Sequence, residues 1–160
     1  TVHHILFDAG LGVSESLLAN PRLQGSGARL DWLCLTHWHP DHTASMNQLI
    51  VSRNANGKRN KLKLPPLPLW CRSGTAEKHH DFEIGLCDLH PVGDNEPPGT
   101  LLPLLPIPLP GVTIRPVTVA HLNADHGVDG RQPRYCCTAF VIETAVTKTI
   151  LLWDLDSSNE

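Results

Sequence analysis

Thr36-His37-Trp38-His39-Pro40-Asp41-His42 places three imidazoles and a carboxylate within six residues, directly after the apolar run Asp31-Trp32-Leu33-Cys34-Leu35. A strand alternates sides with a period of two, so a strand continuing through this run projects His37 and His39 to one face. Pro40 holds the preceding residue extended and ends the ladder, which lets Asp41 and His42 approach from the following loop. Imidazole together with carboxylate suits zinc, and also manganese or iron. The run predicts a metal site, with enough donors for two ions.

Working outward, composition bounds the rest. At 160 residues the chain is one domain's worth or less, and it is read as a single domain over 1–160. Apolar residues make up 41% and charged residues 18%, a balance that supports a packed core. The net charge of −3 gives no basic footprint for nucleic acid. No run approaches the ~18 apolar residues of a membrane span, and no basic start leads into an apolar leader. The five cysteines lack metal-type pairing and are read as small buried residues of a reducing, cytoplasmic compartment.

His37, His39, Asp41 and His42 stand as in the H-x-H-x-D-H motif, and the chain here resembles the metallo-β-lactamase superfamily of hydrolases. The apolar strand before the motif and the helix-like Ala44-Ser45-Met46-Asn47-Gln48-Leu49-Ile50 after it fit that resemblance. It implies an α/β fold, a metallo-β-lactamase-like four-layer αββα sandwich. Measured against it, the chain is expected to be partial at both ends: a fragment, a truncated gene product, or a domain completed by another subunit of an oligomer. The resemblance also implies that Asp8, closing the apolar run Val2–Ala9 ahead of Gly10, orients a ligand histidine or its loop.

The second half of the expected site lies beyond a proline-dense connector, Pro91 to Pro110, where no helix or central strand is expected. The alternating run from Gly111 delivers His121 at its end, and the resemblance asks there for a third histidine. His126 is the alternative; strand register favours His121. A predicted strand over Cys136–Thr144 and a return strand over Thr149–Trp153 end on Asp154, which the resemblance makes the carboxylate bridging two ions. Asp156 lies past the strand end. Elsewhere, short helices are expected over Ser14–Leu18 and Thr75–His80, and a strand over Leu67–Cys71 near a sheet edge or at its own start. The polar run Arg53–Lys61 is read as a solvated loop.

What the resemblance implies for chemistry is a metal-dependent hydrolase. His37, His39 and His121 hold one zinc, Asp41 and His42 the second, and Asp154 stands between them. A zinc-activated hydroxide attacks the substrate, and Asp41 orients it and carries its proton. The segment from His121 to Asp154 looks most like the phosphodiesterase branch, which includes cyclic-phosphate phosphodiesterases and tRNA 3′-processing nucleases. A small-molecule phosphodiester is therefore the expected substrate. The alternatives are a lactone, thioester or lactam on the same ions, or an inactive metal-binding fragment.

Overall fold

Ile5–Phe7 (β1), Trp32–Cys34 (β2), Leu67–Cys71 (β3) and Cys87–Pro91 (β4) form a parallel sheet in that spatial order. The computed structural model describes residues 2–20, 30–79, 85–121 and 134–156. Helices connect the strands: Val13–Ala19 (α1) after β1, Pro40–Thr43 (α2) and Met46–Arg59 (α3) after β2, and Ser73–Lys78 (α4) after β3. A second, antiparallel sheet holds Val112–Val119 (β5), Cys137–Thr144 (β6) and Lys148–Leu151 (β7) in order.

Side-chain alternation along the parallel strands splits the core in two. Leu6, Leu33, Leu67, Leu69 and Cys71 face the helices and pack with Met46, Leu49 and Ile50 of α3. Ile5, Phe7, Trp32, Cys34 and Trp70 face the other way and meet Ile114, Phe140 and Ile142 of the antiparallel sheet. Phe7 and Phe140 touch across this seam with ring centroids 5.1 Å apart. Each fully buried Leu or Phe contributes roughly 1.5–3 kcal/mol, so both seams are strongly specified. The described residues thus supply helices, parallel sheet and antiparallel sheet, three layers of the expected αββα sandwich.

Several local expectations change. The polar run after Val51 is not a loop: α3 continues to Arg59. Its buried stripe is Met46, Leu49, Ile50, Arg53 and Gly57, so an arginine and a glycine occupy positions where an apolar residue signals a helix. Arg53 is satisfied by donating from Nε to the Leu30 carbonyl and from Nη1 to the Pro65 carbonyl, each at 2.8 Å. Gly57 lets the helix lie against Leu64, whose Cδ1 would be 2.9 Å from an added Cβ. β3 pairs on both sides and is not an edge. Pro68 is tolerated because pairing with β2 begins only at Leu69. β4 was not expected; its five residues carry the polar Asp88 and His90, and it forms the sheet edge.

Ser14 and Thr75, the first residues of the two expected short helices, do not cap them. Ser14 is buried inside α1 and donates to Gln48 Oε1, and Thr75 is buried inside α4 and donates to the Cys136 carbonyl. The proline-dense connector behaves as expected, with Leu102, Leu105 and Ile107 buried and a single isolated bridge from Leu101 to Val117. No helix among the described residues is long and apolar enough to cross a membrane.

Candidate metal centre

β2 ends at Cys34, so the histidine run is a loop and not the strand continuation that its spacing suggests. The convergence is nonetheless achieved. Leu35 N–H donates to the Trp70 carbonyl, and the Thr36 carbonyl accepts from Thr138 N–H of β6, which ties the loop to both sheets. Pro40 is the first residue of α2, and His39 ahead of it is extended at φ −60°, ψ 148°. Asp41 and His42 therefore project from one helical turn.

The loop folds around Asp8, which follows β1 with a left-handed φ of 61°. Asp8 Oδ1 accepts from Thr36 N–H and Asp8 Oδ2 from the Thr36 hydroxyl, both at 2.7 Å. Asp8 Oδ2 also lies 2.7 Å from His42 Nδ1. The Thr36 hydroxyl, its proton given to Asp8, accepts from His37 Nδ1 at 3.0 Å. Both imidazoles then carry their proton on Nδ1 and turn Nε2 inward as a donor atom. Ala9 and Gly10 complete the brace. Ala9 N–H donates to the His42 carbonyl and its own carbonyl accepts from Ser45 N–H. Gly10 is so close that a Cβ there would sit 1.9 Å from the Asp41 carbonyl oxygen.

Two donor groups result. In the first, His37, His39 and His121 bring one nitrogen each within 4.8 Å of one another; in the second, a nitrogen each of His37 and His42 and a carboxylate oxygen of Asp154 lie equally close. His37 Nε2 and His39 Nδ1 are 2.9 Å apart. A tetrahedral zinc with nitrogen donors about 2.0–2.1 Å away sets neighbouring donors roughly 3.3 Å apart, so a small opening of this pair would admit an ion. Three imidazoles in one group and two with a carboxylate in the other are the donor chemistry that a borderline divalent ion takes. The residues present fit the ion.

His121 stands two residues beyond β5, its ring 4.9 Å from His37 and 5.0 Å from His39 between centroids. His126 lies outside the described residues. Asp154 follows β7 with a φ of 44°, and its Oδ2 is 2.7 Å from His42 Nε2, 3.7 Å from His37 Nε2 and 4.0 Å from His121 Nε2. One carboxylate oxygen thus faces both groups; Asp156 enters neither. Asp41 does not join them: its carboxylate stands on the rim, 73% exposed, 3.5 Å from His42 Nε2.

Electrostatics separates the histidines. His37 is wholly buried, and burial together with the neighbouring imidazoles pushes its pKa down to about 3, so it stays neutral and able to donate to an ion. The hydrogen bond that His42 donates to Asp8, reinforced by Asp154, raises His42 to about 9 against the cost of burial. Burial, reinforced by Asp8 at Cys34 and by neighbouring thiols at both, pushes the Cys34 and Cys71 thiols far up, which leaves them inert. Sequence reasoning missed Thr36 and Gly10. Their signal was position alone: one directly precedes the first ligand histidine, the other follows the turn aspartate.

The sequence profile described as the Metallo-beta-lactamase superfamily matches residues 3–133. Among solved structures, the chain is similar to the metallo-beta-lactamase fold protein YhfI from Bacillus subtilis, with a TM-score of 0.62, 16% identity and coverage of 94% of this chain and 51% of that one. It is also similar to Zn(2+)-bound PqqB from Methylobacterium extorquens, with a TM-score of 0.60, 15% identity and coverage of 91% and 47%. A 49-residue stretch is 41% identical to part of a protein named atrochrysone carboxyl ACP thioesterase from Aspergillus fumigatus, covering 30% of this chain and 12% of that protein. The chain spans about half the length of these solved structures. With the profile matched over most of its length, the chain belongs to the metallo-beta-lactamase superfamily, a family of metal-dependent hydrolases.

Proposed function

We propose that this chain carries the catalytic metal centre of a hydrolase acting on small phosphodiesters, with zinc as the ion. His37, His39 and His121 would hold one ion; His42 would hold a second with Asp154 shared, and Asp41 would turn in from the rim to join it. The observation that supports this most is Asp154 Oδ2, within 4.0 Å of Nε2 on His37, His42 and His121. A single carboxylate facing both donor groups is what a paired-ion centre needs. When bound, such ions supply hydroxide near neutral pH and positive charge opposite a developing anion.

The chain's own residues do the rest. Asp8 and Thr36 fix the tautomers of His37 and His42, so both offer Nε2 to the cleft. Asp41, exposed on the rim, would accept the proton that the nucleophile loses and return it to the leaving oxygen.

Thioester hydrolysis on the same residues is the second reading, and the 41% identity over 49 residues with part of a thioesterase favours it. One assay set separates the two. The zinc-loaded and manganese-loaded chain is given bis(p-nitrophenyl) phosphate, a cyclic nucleotide, an acyl thioester and a lactone, beside a His37→Ala control. Diester turnover that is lost with His37 supports the proposal, and turnover of the thioester alone moves the chain to the second reading. Bound metal with no turnover of any substrate would make the chain a binding module.

A further inference from the structure

We propose that Lys78, held over the indole of Trp38, anchors a second anionic group of the substrate, a phosphate monoester removed from the scissile bond. The inference rests on the hydrolase reading and specifies its substrate further. Trp38 sits between two of the ligand histidines, and its ring meets His39 edge-on at 4.7 Å between centroids, with an interplanar angle of 77°. Lys78, the last residue of α4, places its Nζ 4.8 Å from the Trp38 ring centroid. The ammonium is therefore no farther from the His39 ring than these two contacts laid end to end, a span that a substituent of a small diester can bridge.

Three features make this cation available. Lys78 is exposed, and no carboxylate among the described residues is ion-paired with it. The adjacent Glu77 is engaged by Arg134, whose Nη1 lies 2.6 Å from Glu77 Oε1, and Arg134 also binds Asp94. The indole face fixes the ammonium on one side without neutralising it, which leaves its remaining donors directed to solvent. The chain as a whole carries a net charge of −3, so a cation fixed beside the metal loop is not part of a general basic surface. A compact ammonium with several rotatable donors suits the dianionic phosphate monoester.

The test has a binding arm and a kinetic arm, both on the full zinc-loaded chain. In the first, phenyl phosphate is titrated against tryptophan emission, with Trp38→Phe identifying the Trp38 contribution. Wild type is expected to show a saturable Trp38 response that weakens with added salt. Lys78→Gln should weaken phenyl phosphate binding about fivefold, and Lys78→Arg should restore most of it. In the second arm, a dinucleoside monophosphate is compared with the same molecule bearing a terminal 5′-phosphate. Lys78→Gln should raise KM about fivefold for the phosphorylated substrate alone, with kcat unchanged. Equal phenyl phosphate affinity in wild type and Lys78→Gln would overturn the assignment. If no diester is hydrolysed by any form, the hydrolase reading fails, and the titration still decides the role of Lys78.

Discussion

At the scale of single residues, Gly10 carries more of the site than its lack of chemistry suggests. The metal loop is braced by backbone contact with Ala9 and Gly10, and no side chain fits between Gly10 and the Asp41 carbonyl. Gly10→Ala should therefore destabilise the fold by about 1–3 kcal/mol and reduce metal stoichiometry, because the displaced group is the backbone of a ligand loop. Gly12→Ala is the control: nothing lies within 4 Å of its added Cβ, and only its φ of 79° opposes it. That change should cost about 1 kcal/mol and leave metal content intact. Urea melts with elemental analysis check both. The histidines were legible because four donors lie within six residues. Asp8, His121 and Asp154 are far apart in sequence and became candidates only through the family resemblance. Nothing in the motif's spacing could show that Asp41 stands on the rim while His37 enters both donor groups.

The same residues make the metal-free protein's stability depend on pH in two opposite ways. His42 has a folded pKa of about 9 against an ordinary 6.5, so the folded state binds more protons between those values. Its contribution is full below about pH 6.5 and is lost as pH rises through about 9. His37, lowered to about 3 by burial, contributes above 6.5 and loses that contribution as pH falls toward 3. The metal-free chain should be most stable near pH 6.5, with a melting temperature that falls on both sides. Thermal melts in chelator from pH 5 to 9 test this. A melting temperature still climbing from pH 7 to 9 would contradict the His42 assignment.

At the scale of elements, α3 shows why part of the fold was hidden. Its first turns carry apolar residues at helical spacing and were read correctly; its second half buries Arg53 and Gly57 instead. A polar sequence there looks solvated because the partners that satisfy Arg53, the carbonyls of Leu30 and Pro65, belong to distant segments. β4 was hidden for a related reason, since its edge position lets it carry the exposed Asp88 and the half-buried His90. Arg53→Ala should expose the consequence. It leaves two carbonyls without their donor and removes a buried side chain, at a cost of about 2–4 kcal/mol. A loss under about 0.5 kcal/mol in urea denaturation would place Arg53 among ordinary surface residues.

At the scale of the whole molecule, the two sheets meet with the centre at their shared end. The loop after β2 supplies His37 and His39, α2 supplies His42, and the ends of β5 and β7 supply His121 and Asp154. The two donor groups are unequal. The first has three imidazoles, whereas the second shares His37, and its own histidine is protonated in the metal-free protein at neutral pH. Binding there must displace the proton on His42 Nε2, whereas His37 Nε2 carries none at neutral pH. This 160-residue chain should therefore retain one zinc through gel filtration and take up a second only from excess zinc in solution. Apparent affinity for the second ion should rise about tenfold per pH unit from pH 7 toward 9, one proton being released per ion bound. Zinc titrations at pH 7 and 8.5, with elemental analysis after exhaustive dialysis, measure both effects. Two ions per chain surviving dialysis at pH 7 would mean that a further ligand completes the second group, and His126, outside the described residues, would be the first to replace by alanine.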